Sequence, residues 1–510
     1  MSKTCTKRYA SLLDTEHLKG DLKGKSIRGG LSSMTAEVLS SVLRIGSTVA
    51  LARMLLPEDF GLISMVTALT VFAERFKDLG LDVATVQRRE ITHEQVSTLF
   101  WINVGIGLII MFTVAALSPA VAWFYNNQCL IAITLALSIS FLFGGLSIQH
   151  LALLRRQMRF APLAWIQVVS TALSVALGIA LAWRGFVYWA LVWKEVSRPA
   201  FMAGGAWLMC RWRPGVPKLR SGIGSMVRLG RDVTGFNVVY FLSRSLDQIL
   251  IGRFWGAGSL GLYRQAYQLL MMPMTQVIYP LNSVAVPALT SLQDEPEKFR
   301  RYYGKAVSIL SFATMPVVVY IGIFSDNFVR LLLGDRWIQS AGILRALAIG
   351  AFIQPIANTC GLVMVSCGKT KRYFWWGAMN AISAIVAFGV GIFWGPIGVA
   401  IAYAVVTYAI LIPCSLYAFK DTPISISLFF RSVSSAAVSS LMMGLLLVVI
   451  QCKTSFLGNI TEMVVSLFLA IIVYCGVWLL LPEGIQQLRE YLSYPLALFR
   501  PAPSSARKNT

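Results

Sequence analysis

The chain has 510 residues, 56% of them hydrophobic and only 13% charged, about half the charged share of an ordinary soluble domain. That composition excludes a soluble enzyme and fits a polytopic membrane protein. The net charge of +22, from 45 Lys and Arg against 23 Asp and Glu, would point to nucleic acid in a soluble chain. Cations gather in the cytoplasmic loops of any membrane protein, so no nucleic-acid partner is inferred.

Residues 1–30 carry Lys3, Lys7, Arg8, Lys19, Lys23, Lys25 and Arg28 and no apolar run of signal-peptide length, so this basic segment is expected to stay in the cytoplasm. Apolar stretches long enough to span a bilayer then follow at 31–56, 61–80, 96–118, 128–151, 161–183 and 186–209. After the basic stretch 211–231 they resume at 227–251, 259–285, 305–325, 340–366, 373–393, 397–418, 428–450 and 462–481. The fold class is therefore all-α, with about 14 transmembrane helices; the absence of strict polar–apolar alternation argues against an outer-membrane barrel.

Laid down with the N-terminus inside, these spans put nearly all loop cations on the cytoplasmic side. Arg53, Arg184, Arg253, Arg330, Arg336 and Lys453 alone face outward. One missed helix would scramble that asymmetry, so it supports both the count and cytoplasmic N- and C-termini. The longest outward loop, near 326–339, leaves no room for an external domain.

An internal repeat recurs at an offset of 200 residues: Arg44, Arg53, Gly61 and Leu62 return as Arg244, Arg253, Gly261 and Leu262. It equates helices one and two with seven and eight. Six helices per half make a parallel repeat related by a pseudo-twofold axis. The expected organisation is a cytoplasmic segment 1–30, an N-lobe 31–210, a linker 211–226, a C-lobe 227–418, two extra helices within 419–482, and a cytoplasmic tail 483–510.

Gly368-Lys369-Thr370 resembles the end of a phosphate-binding loop, but Val363 stands where that motif needs glycine, so direct use of ATP is not expected. The scattered cysteines and three distant histidines support neither a disulfide framework nor a metal site, and no cofactor is inferred.

The informative residues are charges within the spans, because an ionisable group in hydrocarbon is costly unless it faces a cavity or a partner. Arg44 lies too deep in helix one to snorkel easily, and Arg244 is its repeat mate. A guanidinium suits phosphate, offering planar bidentate donors and a permanent charge. Arg44 and Arg244, with Arg75 and Lys77 of helix two, are thus the candidate substrate-binding cations of a central chamber. Glu74, Asp78 and Asp247 are candidates for ion coupling or for counter-ions, and Glu37 and Glu195 stand in the same position. Lys77 and Asp78 could equally be wet at the cytoplasmic end of a shorter helix. Trp123, Trp183, Trp189, Trp212, Trp337 and Trp394 fall near span ends, as in interfacial belts, although Trp337 could also stack on sugar.

Several stretches resemble bacterial polysaccharide flippases of the colanic acid exporter type. They are Gln87-Arg88-Arg89-Glu90-Ile91-Thr92-His93 with Leu99-Phe100-Trp101-Ile102-Asn103, then Leu260-Gly261-Leu262-Tyr263 with Ala266-Tyr267 and Pro273. Val286-Pro287-Ala288-Leu289, Leu292-Gln293-Asp294 and Leu333-Gly334-Asp335-Arg336-Trp337 continue the likeness, which runs from about residue 28 to 480. It implies the multidrug, oligosaccharidyl-lipid and polysaccharide (MOP) exporter superfamily: two six-helix lobes, alternating access, and an undecaprenyl-diphosphate-linked oligosaccharide as cargo. It further implies no enzyme activity, a place in a bacterial inner membrane, and a polysaccharide polymerase and glycosyltransferases as neighbours. The polymer would be exopolysaccharide, capsule or lipopolysaccharide. An ion-coupled multidrug exporter of the same architecture, a peptidoglycan-precursor flippase, and a membrane polysaccharide polymerase or ligase are the alternatives. Paired arginines speak against the first, and the lack of a large external loop against the last.

Overall fold

The computed structural model describes residues 22–77, 81–88, 90–217, 224–454, 459–480 and 485. Residues 1–21, Asp78, the middle of the expected linker and the tail from 486 lie outside the described residues, as do the side chains of Arg75, Lys77 and Arg244. Among the described residues the chain is helical and has no strands. Ten stretches of the described residues are long and apolar enough to cross a bilayer, and the chain is a multi-pass membrane protein.

In chain order the helices begin with α1 (Leu22–Met54), α2 (Pro57–Lys77), α3 (Leu81–Gln87), α4 (His93–Ala116), α5 (Ser118–Tyr125), α6 (Cys129–Arg156), α7 (Phe160–Trp183) and α8 (Tyr188–Cys210). There follow α9 (Gly224–Ser291), α10 (Pro296–Ile323), α11 (Ser325–Leu332), a 3₁₀ turn at Asp335–Trp337, α12 (Gln339–Ala351), α13 (Gln354–Ala357) and α14 (Thr359–Ser366). The series ends with α15 (Thr370–Gly391), a 3₁₀ turn at Ile392–Trp394, α16 (Gly395–Phe419), α17 (Ile426–Thr454) and α18 (Asn459–Leu480). The chain divides into two compact units, one of residues 1–264 with 332–337, the other of residues 265–331 with 338–510.

In the first unit α1 packs on α7, α4 on α6, and α8 on both α6 and α7. Lipid tails are as apolar as leucine, so such helices are held by close packing and hydrogen bonds rather than by expulsion of water. The α4–α6 crossing shows why small residues sit there. A Cβ on Gly107 would lie 2.7 Å from the Phe141 carbonyl oxygen, and one on Gly145 equally close to that of Asn103.

The segment around Gln87–His93, expected from the sequence to be a cytoplasmic loop, is built from local hydrogen bonds. Thr92 and Gln95 form a reciprocal capping box that starts α4. The buried guanidinium of Arg156 donates to the carbonyls of Thr85 and Arg88, satisfying the C-terminal end of α3, while Arg155 reaches Asp82 at 3.1 Å. The first residues of the expected linker are held too. The Trp212 indole N–H donates to His93 Nδ1 at 3.1 Å, Trp101 donates to the Gly215 carbonyl at 2.9 Å, and the Gly215 N–H donates to Ser97.

Helix α9 is broken at Gly256, whose φ of 79° and ψ of −180° suit only glycine. Its limbs fold back on each other there. Gly252 meets the Leu260 side chain, and the Tyr263 hydroxyl donates to Asp247 at 2.8 Å.

In the second unit α10 packs on α17, α16 on α12 and α15, and α17 on α18. Its core gathers Phe299, Tyr303, Phe324, Phe429 and Trp478. Neutral hydrogen bonds cross it, from the Tyr320 hydroxyl to the Met463 carbonyl at 2.9 Å and between Tyr303 and Thr359 at 2.9 Å. Gly368, the glycine of the false phosphate motif, takes a positive φ of 69° in the turn between α14 and α15.

Candidate functional site

Two helices of spanning length in the first unit, α2 and α8, with 21 and 23 residues, fall outside the ten apolar stretches. They carry charge into the bundle. Lys194 and Glu195 of α8 pair at 3.4 Å, and Glu195 also interacts electrostatically with Arg198 and with Arg264 of α9. Arg264 in turn donates to Thr67 Oγ1 of α2 at 2.5 Å. Three cations, two on α8 and one on α9, therefore lie about one carboxylate. Thr67 belongs to a hydroxyl row with Ser64 and Thr70, spaced three residues apart on one face of α2, and Glu74 extends that face by about one turn.

Arg44 lies on α1, where its guanidinium bonds Glu37 at 2.6 Å and Ser41 at 2.8 Å. Glu37 also accepts from Gln167 of α7 at 2.8 Å. Gly29 abuts Phe160 and Glu37 bonds Gln167, so α1 and α7 run parallel and in register. Arg44 is then level with Ser174, and Gly178, which touches Lys194, is one turn or about 6 Å further along. The Arg44 group and the Lys194 group thus occupy neighbouring depths of the same unit.

Asp247 is buried; Oδ2 accepts from Tyr263, while Oδ1 has no hydrogen-bond partner among the described residues. It differs from Asp59, whose carboxylate accepts the Leu56 N–H at 2.8 Å in the first turn of α2 and so has an ordinary capping role. A buried carboxylate with a free oxygen is a group poised to take a proton or a small cation.

Of the residues singled out by sequence, the structure therefore places Arg44, with Glu37 as its counter-ion, and Asp247, with Tyr263 beside it. Glu74 is exposed on α2. Arg75, Lys77 and Arg244 fall on α2 and α9 with side chains outside the described residues. The sequence reading did not single out Lys194, Arg198 or Arg264. Their signal was available: Lys194-Glu195 followed by Arg198 interrupts a span, and Arg264 stands directly after the Leu260–Tyr263 motif. The tryptophans divide. Trp123, Trp183 and Trp394 are exposed as a belt requires, but Trp212 and Trp337 are wholly buried. The Trp337 indole donates to the Ala52 carbonyl at 2.8 Å and is not free to stack on a sugar.

Charges paired inside an apolar bundle, with a buried carboxylate beside a helix break, are features that mark substrate and ion pathways in membrane proteins. The solved structures agree on the fold. "Lipid II flippase MurJ, inward closed conformation" superposes with a TM-score of 0.70 at 16% identity, covering 92% of this chain and 99% of that one. An inward-facing MATE-family multidrug resistance transporter of the MOP superfamily gives 0.53 at 12% identity, covering 79% and 99%.

The chain belongs to the polysaccharide biosynthesis protein family, whose model matches residues 50–342. Curated relatives include the teichuronic acid biosynthesis protein TuaB of Bacillus subtilis, 27% identical over 81% of this chain and 86% of its own length. The lipopolysaccharide biosynthesis protein WzxC of Escherichia coli is 25% identical over 76% and 79%. The succinoglycan biosynthesis transport protein ExoT of Rhizobium meliloti is 21% identical over 79% and 82%. The resemblance read from the sequence is borne out: this is a transmembrane polysaccharide-biosynthesis transport protein.

Proposed function

We propose that the chain is a flippase that carries an undecaprenyl-diphosphate-linked oligosaccharide repeat unit across a bacterial inner membrane by alternating access, with both termini cytoplasmic. The observation that carries the reading is the cluster of Lys194, Arg198 and Arg264 around Glu195, anchored on Thr67. Its excess of two positive charges matches a diphosphate of about two negative charges, and a multidrug exporter of cations would want the opposite sign. Arg44, Arg244, Arg75 and Lys77 extend the cationic path. Asp247 with Tyr263 takes the coupling proton or cation, so that the gradient acts through different affinities in the two states. Glu74 and Asp78 serve as further coupling groups or counter-ions.

The architecture proposed is fourteen spans, two six-helix lobes related by a pseudo-twofold axis, and a C-terminal pair. The length of α9 supports it. Its apolar part, Ser245–Ser291, has 47 residues and Thr370–Phe419 has 50, each more than twice the roughly 20 residues that one crossing requires.

The test is deletion of the gene followed by analysis of lipid-linked oligosaccharides. The expected result is accumulation of one diphosphate-linked repeat unit on the cytoplasmic face together with loss of the polymer. Normal polymer and no accumulated carrier would overturn the reading.

A further inference from the structure

At the end of the first unit where α1 turns into α2, two glycines make unusually close approaches. A Cβ built on Gly61 would fall 1.7 Å from the Ala257 carbonyl oxygen, and one on Gly261 would fall 1.9 Å from that of Pro57. Contacts closer than 3.0 Å are not tolerated, so any other residue at either place forces the two backbones apart. The two contacts are reciprocal. Residues 61 and 261 are repeat mates, and their partners, 57 and 257, are separated by the same 200 positions. A contact that recurs between the mates of both residues is the signature of a twofold axis passing between them.

A second contact closes the same place. Trp337 is buried, donates its indole N–H to the Ala52 carbonyl at 2.8 Å, and sets its ring edge-on to Phe60 at 5.2 Å. It arrives on a short strap, Leu332–Trp337, that belongs to the first unit although the chain on both sides of it belongs to the second. Gly334, at a φ of 96°, turns the strap, and the Trp337 N–H closes that turn onto the Gly334 carbonyl at 3.1 Å.

We propose that the α1–α2 turn and the α9 kink form a separable gate, closed by the reciprocal glycine contact and latched by the Trp337 indole on the Ala52 carbonyl. The glycines allow the two backbones to meet with almost no side-chain surface between them, so parting them breaks few apolar contacts. The Trp337 indole then supplies a directional bond across the closure. Loss of one buried hydrogen bond moves such an equilibrium by about tenfold.

The gate rests on the alternating-access reading only for its purpose, and its test needs no cargo. Ala52→Cys, in a chain whose native cysteines are replaced, puts a thiol at a position that is wholly buried. Its labelling is measured in intact cells with a membrane-impermeant maleimide and, in parallel, with a permeant one. Trp337→Phe keeps the ring but removes the N–H, and it should raise the labelling rate about tenfold. Gly61→Ala and Gly261→Ala should each raise it further, and by similar factors. Acceleration with the permeant reagent alone supports the gate and overturns only the outward orientation assigned to this end of the molecule. Unchanged labelling in Trp337→Phe at normal abundance overturns the latch, and this variant decides the matter even where the alanine variants fail to accumulate. If polymer export were lost while labelling behaved as expected, the gate would stand; if the deletion left export intact, the flippase reading would fall separately.

Discussion

The two compact units handle polar groups in different ways. Among the described residues every buried charged side chain, Asp59, Arg156 and Asp247, lies in the first unit. That unit also holds the Arg264–Thr67 and Glu37–Gln167 contacts, which join charged and neutral groups across helices. The second unit crosses its core with neutral partners, Tyr303 with Thr359, Tyr320 with Ser466 and Gln354 with Tyr403. Its pairs Arg345–Asp326 and Arg372–Asp421 are partly or largely exposed. A neutral hydrogen bond between membrane helices contributes about 0.6 kcal/mol and serves to hold a packing arrangement. An ionisable group at depth is costly without a function. The difference is what the proposed function draws on when it puts cargo and coupling chemistry in the first unit and scaffolding in the second.

The largest expected effect comes from replacing one arginine in each unit. Arg264→Gln should abolish polymer export at normal membrane abundance, because it removes a charge that Thr67 and Glu195 hold in place. Arg345→Gln removes an exposed pair, 56% and 46% accessible, and should leave export within about twofold of wild type, in keeping with the small worth of such pairs. Equal losses in the two variants would erase the distinction between the units.

A smaller effect is expected at Asp247. Asp247→Asn keeps an oxygen to accept from Tyr263 but removes the charge, so the protein should fold and still bind cargo. Export should fall several-fold and lose its dependence on the ion gradient. Gradient-dependent export at the wild-type rate would remove Asp247 from the coupling role.

The smallest effect lies in the turn after α16. The Arg372 guanidinium, 3.0 Å from Asp421, holds that carboxyl below the ordinary carboxylate range. A depressed folded value means stability that is present above the unfolded pKa and lost as pH falls through the folded one. The small difference in thermal midpoint between wild type and Arg372→Ala should therefore be seen at neutral pH, shrink in acid below the carboxylate range, and shrink also in high salt. A difference that persisted in strong acid would show that the arginine acts through its bond to the backbone carbonyl of Lys420 instead.

Much of the fold was legible from hydropathy, because a bilayer demands apolar runs whose length is set by its thickness. Hydropathy divides the stretch that forms α9 into spans at 227–251 and 259–285, and the break at Gly256 falls in the gap between them. The site was less legible. Depth alone brought out Arg44, but depth cannot reveal a counter-ion seven residues away on the same helix, and Glu37 is that counter-ion. The repeat singles out Arg244 as the mate of Arg44 and is silent on Arg264, whose mate, Ser64, is uncharged. The burial of Trp337 was hidden for a different reason. A tryptophan near a span end is ordinarily interfacial, and only the fold of a strap from a distant part of the chain brings it onto Ala52.

The central claim, that cations of the first unit hold the phosphate of the cargo, is tested most directly by binding. The purified full chain in nanodiscs would be titrated with an undecaprenyl-diphosphate-linked sugar, as wild type, Arg264→Gln and Arg345→Gln. The account predicts that Arg264→Gln weakens binding by about 10- to 100-fold, the worth of one charge-assisted hydrogen bond to an anion, while Arg345→Gln binds as wild type. Undiminished affinity in Arg264→Gln would contradict it.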